Sequence, residues 1–227
     1  MKVILTNDDG EDAPGLQALY EKLADAGRII VAAPDGPRSG VGHQVTTPSP
    51  LAVRELARGR YSINGTPADC ARIALKVLAP DADWLIAGIN PGANLGSDVY
   101  NSGTVAAARE AAILGFRSIA ISQYVARALS IDWDVTAYHA GHVLKMLLDR
   151  PLAKGRYWNV NLPHPLKFES ELENVFCSRD TGPHNYVYRR EGGTYHYEGA
   201  IHERPRQPGR DVDVCFGGKM AITLLKI

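Results

Sequence analysis

Within its first 33 residues the chain changes period twice. A short β-rich run at residues 3–6 breaks into the polar turn Asn7-Asp8-Asp9-Gly10. Pro14-Gly15 then opens a helix in which Leu16, Leu19, Tyr20 and Leu23 recur at i, i+3, i+4 and i+7, so one face is apolar. Gly27 stops that helix, and residues 29–33 form a second run of strand type. Strand, helix, strand at this length is a βαβ unit, whose two strands run parallel.

The pattern repeats downstream. Thr66-Pro67-Ala68-Asp69 supplies a capping hydroxyl, a proline at the first helical position and an acid in the first turn, which predicts a helix running to about residue 78. A buried strand is expected over 84–89, a glycine-rich loop over 90–103 and a helix of small residues over 104–114. Next come a strand over 118–122, a longer amphipathic helix over 132–148 and a strand over 157–162. From about Phe176 tyrosines, arginines and glycines alternate in short β-like runs (186–189, 194–197, 221–226), expected to be hairpins appended to a doubly wound sheet. Residues 1–227 are therefore expected to form a single α/β domain, with a core over 1–165 and a β-rich extension over 166–227.

Composition narrows the partners. Lysine plus arginine and aspartate plus glutamate are equal at 25 each, so no whole-chain field draws the protein to a polynucleotide or a membrane surface, and an anionic ligand must be caught by a local site. Cys70, Cys177 and Cys215 are far apart and form no CxxC, which suits a reducing compartment better than a disulfide framework or a zinc ribbon. The polar turn at residues 7–10 interrupts any signal-peptide core, and no apolar run approaches the ~20 residues that span a bilayer. The expected location is cytoplasmic.

In an open parallel sheet ligands bind beyond the carboxyl ends of the strands. Three loops there carry polar residues: 7–10 with Asp8 and Asp9, 35–42 with Ser39, and 90–96 with Asn90 and Asn94. Adjacent carboxylates in one pocket repel unless a cation sits between them, and a hard divalent ion such as Mg²⁺ or Mn²⁺ takes such oxygen ligands. Taken alone, Asp8-Asp9-Gly10 also reads as an ordinary acidic turn. Ser102-Gly103-Thr104 opens a helix and offers backbone N–H groups and two hydroxyls to a phosphate, although it also reads as a plain serine cap. His43 falls in the second loop, where it is expected to be structural, and His139 and His142 share a helix face as a packed or solvated pair. Other chemistries are absent. Position 45 is Val45, which breaks the dinucleotide fingerprint begun by Gly40 and Gly42, and no P-loop, GxSxG elbow or HExxH helix occurs.

Assembled, these residues resemble the SurE (survival protein E) family of 5′/3′-nucleotidases. The strings that carry the resemblance are VILTNDDGEDAPG, APDGPRSG, NGTPADC, AGINPGANLGSDVYNSGTVAAAREA and NVNLP. The resemblance implies a Rossmann-like fold with C-terminal β-hairpin extensions, and one divalent metal ion per subunit held by Asp8, Asp9, Ser39 and Asn90. It implies phosphate binding by Asn94, Ser102, Gly103 and Thr104, and catalysis centred on Asp8 and Asp9. Hydrolysis of nucleoside 5′-monophosphates, and of 3′-monophosphates, would follow. Direct attack by water and an aspartyl phosphate on Asp8 or Asp9 both stay open. The resemblance also implies a homodimer or homotetramer assembled through the C-terminal hairpins and tail. The chain ends at Ile227, where relatives usually continue, and Gly209-Arg210-Asp211 stands where they tend to have Gly-Thr-Asp. Two other readings share the site: a nucleotide sensor that does not catalyse, and a phosphatase for other small phosphates such as short polyphosphate.

Overall fold

The computed structural model describes residues 1–126, 129–184, 186–199 and 201–227. The first βαβ unit is β1 (Lys2–Thr6), α1 (Pro14–Leu23) and β2 (Arg28–Pro34), with β1 and β2 paired in parallel. There follow β3 (Val53–Ala57), β4 (Arg60–Ile63), α2 (Pro67–Ile73), β5 (Trp84–Pro91), α3 (Gly103–Ile113), β6 (Arg117–Gln123), α4 (Trp133–Leu148) and β7 (Arg156–Leu162). The last part of the chain holds β8 (Asn174–Phe176), β9 (Tyr188–Glu191), β10 (Thr194–Tyr197), α5 (Asp211–Phe216) and β11 (Met220–Lys226).

Among the described residues nine strands form one sheet in the order β3-β4-β2-β1-β5-β6-β7-β11-β8. The central strands are parallel, β3 pairs antiparallel with β4, and β11 pairs antiparallel with β7. Side chains alternate across the central strands, so each strand feeds both faces. Val3 and Leu5 pack with Leu16 and Leu19 of α1 and with Val143, Leu144 and Leu147 of α4. Ile4, between them in sequence, packs instead with Cys70, Ala71 and Leu75 and with Ala107 and Ala111 of α3. Helices on both faces make this a doubly wound α/β sheet, as the sequence led us to expect.

The helix starts follow from their caps. Thr66 and Asp69 form a reciprocal capping box on α2, whose last turn widens into a π-turn over Ala74–Leu78. Asp132 caps α4 through the N–H groups of Asp134 and Val135, and Ser102 caps α3 by accepting the Val105 N–H at 3.0 Å.

The C-terminal third departs from the expectation in detail. The β9–β10 pair is a separate antiparallel hairpin, whereas β11 is no hairpin strand. It lies in the main sheet between β7 and β8, because Met220, Ala221 and Ile222 are apolar enough to be buried there. The edge pair β3–β4 and the short helix α5 were not anticipated.

Chain order makes the functional crevice. From β1 the chain moves to β2 on one side, and later returns to β5 on the other side of β1. The loops leaving β1 and β5 therefore diverge, and the gap between them is the switch point at which doubly wound sheets bind ligands.

Candidate active site

A cleft of about 260 Å³ opens at this switch point, lined by Asp8, Asp9, Ser39, Asn90, Asn94 and Ser102, together with Gly40, Pro91, Asp98 and Asn101. The structure thus brings six of the eight residues singled out in the sequence to one surface. Gly103 and Thr104 lie behind it.

The loop after β1 is rigid by construction. Asn7 donates its amide to the Gly10 carbonyl at 2.8 Å and accepts the Gly10 N–H at 3.2 Å. The Glu11 N–H reaches the Pro34 carbonyl at 2.9 Å, and the Arg38 N–H reaches the Asp8 carbonyl at 2.7 Å, so the loops after β1 and β2 are tied together. Gly10 has φ +109°, and a Cβ there would sit 3.2 Å from the Gly36 backbone.

Asp8 faces the amino end of α3, where the Thr104 hydroxyl donates to its Oδ1. Burial pushes the Asp8 pKa up, while the Thr104 hydroxyl and the Thr104 and Gly103 backbone N–H groups pull against it without offsetting it. Burial, and then the charge of Asp8, push the Asp9 pKa up to about 7. Asp9 Oδ2 is buried and has no hydrogen-bond partner. The donors at this helix start therefore serve Asp8, and fully buried Thr104 orients that acid rather than presenting its hydroxyl to the cleft. The Ser102 side chain lines the cleft while accepting the Val105 N–H.

Asn94 is held from β6 and β7. Its amide donates to the Ser122 hydroxyl at 2.8 Å, its N–H donates to Asn161 Oδ1 at 2.8 Å, and its carbonyl accepts from Asn159 at 2.9 Å and Asn161 at 3.1 Å. The NVNLP string was recognised in the sequence without a role for its asparagines. Two asparagines at i and i+2 in a buried strand share one face, and that spacing was the available signal. Asn90 donates its amide to the Gly92 carbonyl at 2.5 Å, which commits the nitrogen and leaves its oxygen for the cleft.

The donor set suits a hard cation. Two carboxylates with raised pKa values, one orphaned carboxylate oxygen, an amide oxygen and a hydroxyl line the same space, and no Lys or Arg is among the lining residues. Among the described residues no group of three or more His, Cys, Asp or Glu is arranged for a metal, so an ion here would depend on the neutral oxygens of Ser39 and Asn90.

Other candidates lie elsewhere. His43 does not line the cleft: it contacts Glu110 Oε2 at 2.6 Å and accepts from Arg109 Nε at 2.8 Å. His139 and His142 bond the Lys167 and Tyr138 carbonyls and line a separate cavity with Phe168. Cys70 and Cys215 are buried thiols, and burial pushes both pKa values up, away from nucleophilic use. No helix among the described residues is long and apolar enough to cross a membrane.

Comparison with known proteins identifies the family and the fold. A protein of Synechocystis sp. is 46% identical over 100% of both chains. The 5′-nucleotidase SurE of Vibrio cholerae is 38% identical over 100% of this chain and 92% of its own. The crystal structure of the SurE protein from Aquifex aeolicus superposes with a TM-score of 0.85 at 32% identity, covering 100% of this chain and 93% of that one. The family profile described as Survival protein SurE matches residues 3–181, a span that contains the whole acid-lined cleft. With fold, motifs and chain-length similarity in agreement, the chain belongs to the SurE family.

Proposed function

We propose that this protein is a 5′-nucleotidase that hydrolyses nucleoside monophosphates to nucleoside and phosphate in the Asp8–Asp9 cleft, with one Mg²⁺ or Mn²⁺ ion per subunit. Nucleoside 3′-monophosphates fit the same reading, since the proposed contacts from Asn94 and Ser102 are to the phosphate and none is to the sugar position that carries it. Relatives named 5′-nucleotidase SurE support the reaction class. The observation that carries the metal is charge: a phosphomonoester entering a cleft lined by three acids, Asp8, Asp9 and Asp98, and by no Lys or Arg would be repelled.

Asp8, Asp9, Ser39 and Asn90 are the residues that would hold a divalent cation, which when bound would supply that missing charge and make water more acidic. Asp8, fixed by Thr104, and Asp9, with its free oxygen, would hold such an ion at the carboxyl end of β1. Asn94 and the Ser102 hydroxyl steady the phosphoryl oxygens as charge builds in the transition state. Ser122, Asn159 and Asn161 keep Asn94 in place, so this stabilisation is preorganised. The exposed β9–β10 hairpin is the surface through which copies would assemble into a dimer or tetramer.

The test is phosphate release from a panel of 5′- and 3′-nucleoside monophosphates by chelator-stripped protein, with metals restored singly and Asp9→Asn as control. Activity restored by Mg²⁺ or Mn²⁺ and lost in the folded Asp9→Asn variant is the expected result. Folded wild-type protein that binds nucleotide and releases nothing with any metal would overturn the catalytic reading in favour of a sensor.

A further inference from the structure

The loop that carries Asn94 and Ser102 is held at both ends, by the β6 and β7 side chains at Asn94 and by the helix cap at Ser102. Its middle is a short 3₁₀ turn, Gly96–Tyr100, which takes its contacts from a distant part of the chain. Asp211 is completely buried and accepts the Gly96 N–H through Oδ2 at 2.9 Å, while its Oδ1 accepts the Asp180 N–H at 2.7 Å and the Val212 N–H at 2.9 Å. Arg204, whose side chain is 6% exposed, donates to Asp98 Oδ2 at 2.6 Å and to the Leu95 carbonyl at 3.4 Å. Gly96 has φ +54°, and a Cβ there would lie 2.7 Å from Arg204 Nη2, so the glycine lets the guanidinium close on the loop.

These contacts share a logic. Two reach the loop backbone itself, at Gly96 N and Leu95 O, and the third holds Asp98, which lines the cleft. Both clamping residues lie beyond residue 181, where the match to the family profile ends. A buried carboxylate receiving three N–H groups and a nearly buried guanidinium on a carboxylate are costly to form and strongly directional. Their directionality favours one loop geometry, and removing one partner leaves the other buried and unpaired.

We propose that Arg204 and Asp211 are positioning residues for phosphate, acting through Asp98 and Gly96 and touching no reacting atom. The residues after 181 thus complete the active site instead of serving assembly alone. This rests on reading the cleft as a phosphate site.

The experiment compares wild type with Arg204→Met, Arg204→Lys, Asp98→Asn, the double variant Arg204→Met/Asp98→Asn, and Asp211→Asn. It measures KM and kcat, the inhibition constant of inorganic phosphate, Mn²⁺ affinity of stripped protein by calorimetry, and amide exchange. Arg204→Met should raise KM and the phosphate inhibition constant by about tenfold while Mn²⁺ affinity stays within about twofold. Exchange should rise in residues 95–102 and not in β1. Arg204→Lys should recover part of the loss, and the double variant should be no worse than Arg204→Met alone, because the two side chains act as one unit. Asp211→Asn should shift phosphate affinity in the same direction; if it does not fold, the Arg204 series decides. Unchanged phosphate affinity with unchanged loop exchange would overturn the proposal, as would exchange that rises evenly over the whole molecule. If wild type hydrolyses no nucleotide the nucleotidase reading falls, and loop exchange with and without Arg204 still decides the clamp.

Discussion

Gly103 shows how little room the acid pair leaves. A Cβ at this position would lie 2.8 Å from Asp8 Cβ and 2.9 Å from Pro67 Cγ, closer than side-chain carbons approach one another. Gly103→Ala must therefore move Asp8 or the start of α3. A displacement of this kind costs roughly 100-fold in turnover when the displaced group holds the reacting centre. Kinetics with metal restored, on protein shown to be folded by circular dichroism, checks it; full activity would remove Asp8 from the site. Asp9 gives a second prediction at this scale. Its pKa is about 7 in the folded chain against an ordinary value of 3.8. The folded state thus prefers the protonated acid, and the stability this contributes is whole below pH ~4 and lost as pH rises through about 7. Stripped protein should melt at a lower temperature at pH 8 than at pH 5, and Mn²⁺ should narrow the gap. Asp9→Asn should flatten the dependence in the absence of metal.

Elements bring these residues together, and the loop after β2 is docked by a buried acid on α3. Glu110, 2% exposed, receives Arg72 Nε at 2.7 Å and contacts His43 Nε2 at 2.6 Å. Burial works against the Glu110 carboxylate, but the His43 and Arg72 hydrogen bonds outweigh it and hold its pKa below the usual value. Its stabilisation is present above pH ~4.5 and is lost as pH falls through the lowered pKa. Glu110→Gln should cost about 1–3 kcal/mol in urea unfolding at pH 7, and the deficit should shrink in acid. The central elements were legible from continuous apolar runs in the strands, apolar spacing in α1 and α4, and a run of small residues behind a serine cap in α3: β1, α1, β2, β5, α3, β6, α4 and β7 all lie where the sequence put them. The β3–β4 edge was not, since every residue of β3 is exposed and an edge strand with no buried face has no alternation to read. Helix α5 has six residues, fewer than two turns, so a 3.6-residue period cannot declare itself. The strand β11 was legible as a strand but not in its place, because pairing with β7 is a tertiary fact. The cleft divides in the same way. Acids that follow a strand announce themselves locally, whereas Asp211 meets Gly96 across 115 positions and no local pattern joins them.

At the scale of the whole molecule, one feature stands outside the doubly wound frame. Among the described residues the strands β9 and β10 pair only with each other, and a two-stranded hairpin alone in water is marginal. Tyr188, Tyr195 and Tyr197 on this hairpin are 57%, 64% and 52% exposed. Arg189 of β9 pairs with Glu198, the residue after β10, at 2.5 Å, an exposed ion pair that adds little stability. Large aromatics are the side chains most enriched where protein surfaces meet. The expectation of a dimer or tetramer therefore has a definite location. Replacing Tyr188, Tyr195 and Tyr197 together by serine should reduce the mass seen by light scattering at micromolar concentration to that of one chain. Mn²⁺ affinity of the stripped protein should persist, because the acid pair hangs from β1 and α3, elements whose packing the hairpin does not share. An assembly that survives the triple replacement would place the contact between copies elsewhere on the molecule. A drop in both mass and Mn²⁺ affinity would mean that assembly shapes the cleft, so that the acid pair depends on the neighbouring copy.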